Sequence, residues 1–77
     1  MNRTAKILLA LVQEAMGWAN EHNWSEETLV WGDIFRLAQR QGVLAIVWSA
    51  IGKLANEGKL TPEQMPDKAL KLQWALS

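Results

Sequence analysis

Apolar positions recur along this chain at the spacing of helices. Leu8, Leu11, Ala15 and Trp18 fall at i, i+3, i+7 and i+10, and Ile7 and Val12 widen the stripe. The pattern predicts a helix from Arg3 to Ala19, with Gly17 weakening its last turn. The polar segment from Asn20 to Thr28 reads as a loop, with Ser25 or Thr28 as the candidate cap for the next helix. Trp31, Ile34, Phe35 and Ala38 then mark a second helix over Trp31 to Gln41, with Gly42 as its stop signal and Arg40 in the last turn, where the helix dipole favours a cation.

A third helix starts almost at once and runs to about Glu57, with Gly58 as the next stop. Val43, Leu44, Ile46, Val47, Trp48, Ala50, Ile51 and Leu54 cover most of its circumference, so it is expected at the centre, contacted from several sides. Thr61-Pro62-Glu63-Gln64 matches a capping box with proline at the first helical position. Pro66 lacks an amide and disfavours helical geometry at Met65, which predicts one turn, a break, and a last helix from Pro66 onward. In that helix Asp67 and Lys71 are spaced for an ion pair, and Leu70 and Trp74, with Ala69, Leu72 and Leu76, are expected to supply apolar contacts. No segment alternates apolar and polar residues for long. The expectation is a single all-α domain over residues 1–77, a small bundle of about four helices. The last amphipathic pattern reaches Ser77 without a cap, as expected either of a frayed terminus or of a boundary within a longer protein.

At 77 residues a single core is marginal, and the absence of cysteine removes disulfides, thiolate nucleophiles and zinc–thiolate sites. Packing must hold the fold, and with 49% apolar residues and five tryptophans there is material for a core. Eight basic residues balance eight acidic ones, so no global field draws the protein to nucleic acid or to an anionic membrane. The apolar run from Ile7 to Val12 is too short to span a bilayer and no secretory cleavage pattern comes after it, which makes a cytoplasmic location the expectation.

Catalytic constellations are scarce. His22, the one histidine, sits in the polar loop and reads as exposed. Glu26 and Glu27 are adjacent, so on a helix they diverge by roughly 100° and suit first-turn charges better than a shared metal. No glycine-rich phosphate loop is present. Four tryptophans fall on or beside an apolar stripe and are expected in the core, whereas Trp24 lies among Asn23, Ser25 and Glu26, to fold over the core as a lid or to face a partner. Trp24, Leu70 and Trp74 are the candidate partner surface; catalytic, cofactor and metal residues are expected to be none. The run Leu37 to Val43 with Val47 and Ile51 has the spacing of a helix-turn-helix DNA reader, but its second helix offers Leu44, Ala45 and Ile46 where base edges and phosphates need polar groups.

Trp31, Asp33-Ile34-Phe35, Leu37-Ala38, Gln41, Val43 and Val47, between a leucine-rich first helix and the Pro62 and Pro66 region, resemble the amino-terminal helical region of the uncharacterised bacterial nucleotidyltransferase family. The resemblance implies a non-catalytic accessory domain that packs against, or shapes the cleft of, a downstream catalytic domain. Magnesium and a nucleoside triphosphate would belong to that longer parent. The family's Lys-Gly and Gly-Asp-x-Asp motifs do not map onto this chain: Gly32-Asp33-Ile34 is followed by Phe35, and Asp33 reads as a first-turn acid. A free-standing helical module that pairs with itself or with a partner helix is the alternative expectation.

Overall fold

Asn2 starts the first helix by turning its side chain onto the backbone, where Oδ1 accepts from the Ala5 amide at 2.8 Å. The computed structural model describes residues 2–18 and 22–75. In chain order it contains α1 (Arg3–Ala15), a 3₁₀ turn at Trp24–Glu26, α2 (Trp31–Gln41), α3 (Leu44–Asn56), a second 3₁₀ turn at Pro62–Gln64 and α4 (Lys68–Ala75), with no strand among the described residues. The chain is a small all-α bundle.

Three helices end in the same way. After α2, Gly42 takes φ 73°, a left-handed conformation that costs a side-chain-bearing residue. This lets the Val43 amide reach the Ala38 carbonyl at 2.9 Å and Gly42 reach Gln39 at 3.2 Å. Lys59 to Leu54 repeats the longer bond after α3, and Trp18 to Gln13 after α1. Gly17 therefore ends α1 instead of merely weakening it. The chain swings away there, and Trp18, expected on the core stripe, is 60% exposed. Ala19, Leu76 and Ser77 lie outside the described residues.

One expected cap and one expected ion pair are replaced. Neither Ser25 nor Thr28 caps α2: Val30 occupies the capping position with no side-chain bond, and its carbonyl accepts from the Asp33 and Ile34 amides. Asp67 lies just ahead of α4 and caps it, Oδ1 accepting from the Leu70 amide at 2.8 Å, so its carboxylate serves the helix start rather than the expected pair with Lys71. The break at Pro66 is present, with Met65 extended at ψ 148°.

The core is built from Leu11, Ile34, Phe35, Val47 and Leu54, all essentially inaccessible to solvent, with Ile7, Leu8, Trp24, Trp31 and Ile51 around them. α1 packs on α2 and α3, and α4 packs on α2 alone. The helix in contact with all three others is thus α2, not α3 as its apolar circumference predicted. Phe35 shows why: its ring lies 5.6 Å from Trp31, 4.8 Å from Trp48 and 6.0 Å from Trp74, which joins α2, α3 and α4 at one side chain. Truncating such a residue costs about 3–5 kcal/mol. In α4 only Leu70 and Trp74 reach this core; Ala69 and Leu72 face solvent.

Two glycines on this frame respond with opposite sign to the same substitution. Gly42→Ala strains the left-handed position and is expected to destabilise the fold by about 1 kcal/mol. Gly52 lies on the exposed face of α3 with nothing within 4 Å of an added methyl group. Gly52→Ala is expected to stabilise by about 0.5–1 kcal/mol. Urea denaturation of both variants reads the difference.

Candidate functional site

Trp24 is not on the surface. It is 3% exposed, and its indole Nε1 donates to Oε2 of Glu14, itself buried, at 3.0 Å. Of the two roles open to it in the sequence, the structure realises the lid. Glu14 projects from α1, and Lys59 Nζ stands 3.6 Å from the same carboxylate oxygen. Lys53 Nζ donates to the Glu14 carbonyl at 2.8 Å, tying α3 to the same turn. A carboxylate taken out of water needs such partners, and these supply both charge and a hydrogen bond.

Gln64 closes the other side. Its side-chain Nε2 donates to the carbonyls of Trp24 and Glu27, its Oε1 accepts from the Thr61 amide at 3.0 Å, and its backbone carbonyl accepts from Trp31 Nε1 at 2.6 Å. One residue thereby joins the two 3₁₀ turns to the start of α2. His22, expected to be exposed, is half-buried, its ring 4.3 Å from that of Trp24 and its Nε2 3.7 Å from Glu27. Glu27 also meets Arg3 at 3.4 Å, while Glu26 is exposed, so the adjacent pair does not converge. Asp33 sits in the first turn of α2, as expected, 3.5 Å from Arg36. Among the described residues no group of three or more His, Asp or Glu is placed to hold a metal ion.

Two of the concavities bear on the expected partner surface and on the apolar face of α1. Leu29, Trp31, Met65 and Leu70 floor a cleft of about 510 Å³ whose rim carries Glu27, Glu63 and Asp67. Leu70 belongs to this cleft and Trp74 stacks toward Phe35, while Trp24 is interior, so the three residues expected to form a partner surface do not share one face. The second concavity is a groove of about 270 Å³ between α1 and the α2–α3 corner, lined by Ala5, Leu8, Leu9 and Val12 with Leu37, Gln41 and Val43. Its floor is almost wholly apolar.

That groove rests on a second stripe of α1. Ala5, Leu9, Val12 and Met16 are spaced by four, three and four residues, the spacing of a helix-pairing seam. They lie on a different face from Ile7, Leu11 and Glu14, which enter the core. Leu9 is 47% and Met16 56% exposed. The signal is present in the sequence, but Val12 also fits the single broad stripe through Leu8 and Leu11, which masks the second one.

At the α2–α3 corner, the first turns of α3 present Leu44, Ala45 and Ile46, without the polar side chains that read bases. No helix among the described residues is long and apolar enough to cross a membrane. No family model, curated protein or solved structure matches this chain.

The Glu14 to Trp24 bond has a measurable consequence. Glu14→Ala leaves a buried indole N–H without its acceptor and is expected to destabilise the domain by about 1–3 kcal/mol. Glu14→Gln keeps an amide oxygen for the indole and is expected to cost clearly less. Thermal unfolding followed by tryptophan fluorescence compares them; equal losses would show that charge, not the hydrogen bond, holds Trp24.

Proposed function

We propose that this chain is a non-catalytic helical docking domain that binds a partner through the groove on α1. The observation that carries the reading is the second apolar stripe: a helix of a small, core-limited domain keeps Leu9, Val12 and Met16 off the core and in contact with water. Apolar side chains at that spacing beside a concave wall are what an amphipathic partner helix needs for its anchors. The carboxylates of Glu14, Glu27 and Asp67 are engaged in structural contacts within the fold. The resemblance to the helical region of the nucleotidyltransferase family supplies one class of partner, a catalytic domain that would itself carry magnesium and nucleotide, in a cytoplasmic setting. The DNA-reading alternative is disfavoured by the apolar start of α3.

A designed amphipathic helical peptide with a leucine stripe and uncharged flanks tests the reading before the natural partner is identified. Titrated into the isotope-labelled domain, it is expected to move the amide signals of Ala5, Leu9, Val12, Leu37 and Val43. Leu9→Glu places a charge in the groove and is expected to weaken binding by at least about tenfold. Because Leu9 is half exposed, the same change is expected to alter fold stability by no more than about 0.5 kcal/mol. Shifts that are absent, or that scatter away from the groove, would overturn the docking function.

A further inference from the structure

We infer that the partner seated in the α1 groove is an amphipathic helix with acidic flanks, carried by a different protein chain or domain and not by a second copy of this one. The inference rests on the docking function proposed for the groove and adds the chemistry of its occupant. No charged side chain lines the groove; of the charged residues one helical turn from a lining residue two are basic, Lys6 and Arg40, and one is acidic, Asp33, which stands 3.5 Å from Arg36. Lys6 follows the lining residue Ala5 and stands one helical turn before Leu9; Arg40 stands one turn after Leu37 and beside Gln41. Both are exposed. The acid of α1, Glu14, is buried with Trp24, and the acid of α2, Asp33, is held by Arg36. The exposed acids Glu63 and Asp67 border the other cleft. The groove therefore has an apolar floor and a basic rim, and complementarity asks for carboxylates on either side of an apolar stripe.

A second copy meets this requirement poorly. A twofold interface sets a patch against itself, which brings the basic rim of one copy toward the basic rim of the other. Nor does another helix of this chain qualify as an inserted partner. The exposed apolar residue of α4, Leu72, is accompanied by Lys68 and Lys71, so it too would bring cations to cations. The stripe from Ala5 to Met16 measures about 16 Å along the axis, which matches about three turns of a partner helix.

Two peptides with the same leucine stripe, about 11 residues long to match the stripe, distinguish the charge requirement: one flanked by glutamates and one by lysines. With the full chain at low salt, the glutamate peptide is expected to bind at least about tenfold more tightly, and its advantage to shrink near 0.5 M salt. The double change Lys6→Glu and Arg40→Glu is expected to reverse the order. If that variant loses its dispersed amide spectrum, Lys6→Gln and Arg40→Gln, made singly, are each expected to narrow the gap. Equal binding of both peptides in the groove would overturn the acidic partner while leaving the docking function standing. Failure of these and of the uncharged peptide to bind the groove would overturn both. A dimer in sedimentation that Leu9→Glu dissolves would assign the groove to a second copy and also overturn the inference.

Discussion

The fold depends on matching the N–H of each buried indole with an acceptor. A domain of this size has little aliphatic volume, and tryptophan supplies large apolar area at the cost of one polar atom that must be satisfied. Trp24 gives its N–H to Glu14 on α1, and Trp31 gives its own to the Gln64 carbonyl in the second 3₁₀ turn. Gln64 then returns to the Trp24 carbonyl through its side chain, so the two tryptophans are held by one linked set of bonds. The set connects the parts of the chain that helix packing does not: the segment after α1 and the segment before α4. Without it the two short turns would have few reasons to lie against the bundle. A polar network of this kind acts as a unit, because a partner removed at any point leaves a buried group unpaired.

This organisation explains which features the sequence makes legible and which it hides. The bounds of α2 are legible to the residue because a regular stripe and a glycine stop agree locally. The capping-box sequence at Thr61 to Gln64 and the break at Pro66 are legible for the same reason: each is encoded within a few residues. The position of Trp24 is not. Its neighbours Asn23, Ser25 and Glu26 are polar, and what buries it lies ten residues earlier at Glu14 and forty later at Gln64. Trp18 departs from expectation in the opposite direction. Its spacing fits the α1 stripe, but the left-handed Gly17 turns the chain out before the stripe reaches it.

The prominence of α2 over α3 has a related cause. Periodicity reports how apolar a helix is, and α3 is the more apolar of the two. Contact depends also on where the connections lead. The last segment reaches the bundle through Pro66 and Asp67, and it brings Leu70 and Trp74 onto the Phe35 side of α2. Ile46 and Leu44 of α3 are left half-covered. No local pattern encodes that choice, because it is fixed by the geometry of a proline-interrupted connection.

The same distinction bears on α1, where two apolar stripes share one helix. The inner stripe is accounted for by α2 and α3, whose contacts exhaust the packing partners α1 has among the described helices. Covering the outer stripe from within would require a fifth element or a longer α4 folded across it, and α4 is instead held against α2 by Trp74. Leaving Leu9 and Met16 exposed and Val12 half-covered gives up burial that a marginal domain could use, at roughly 25 cal/mol for each Å² of apolar surface. A polar residue at Leu9 would avoid that exposure with little effect on the core, which is the ground on which we propose a partner for this face. The buried position of Glu14 bears on that proposal: with its carboxylate directed inward to Trp24, the outward face of α1 carries no anion to balance Lys6.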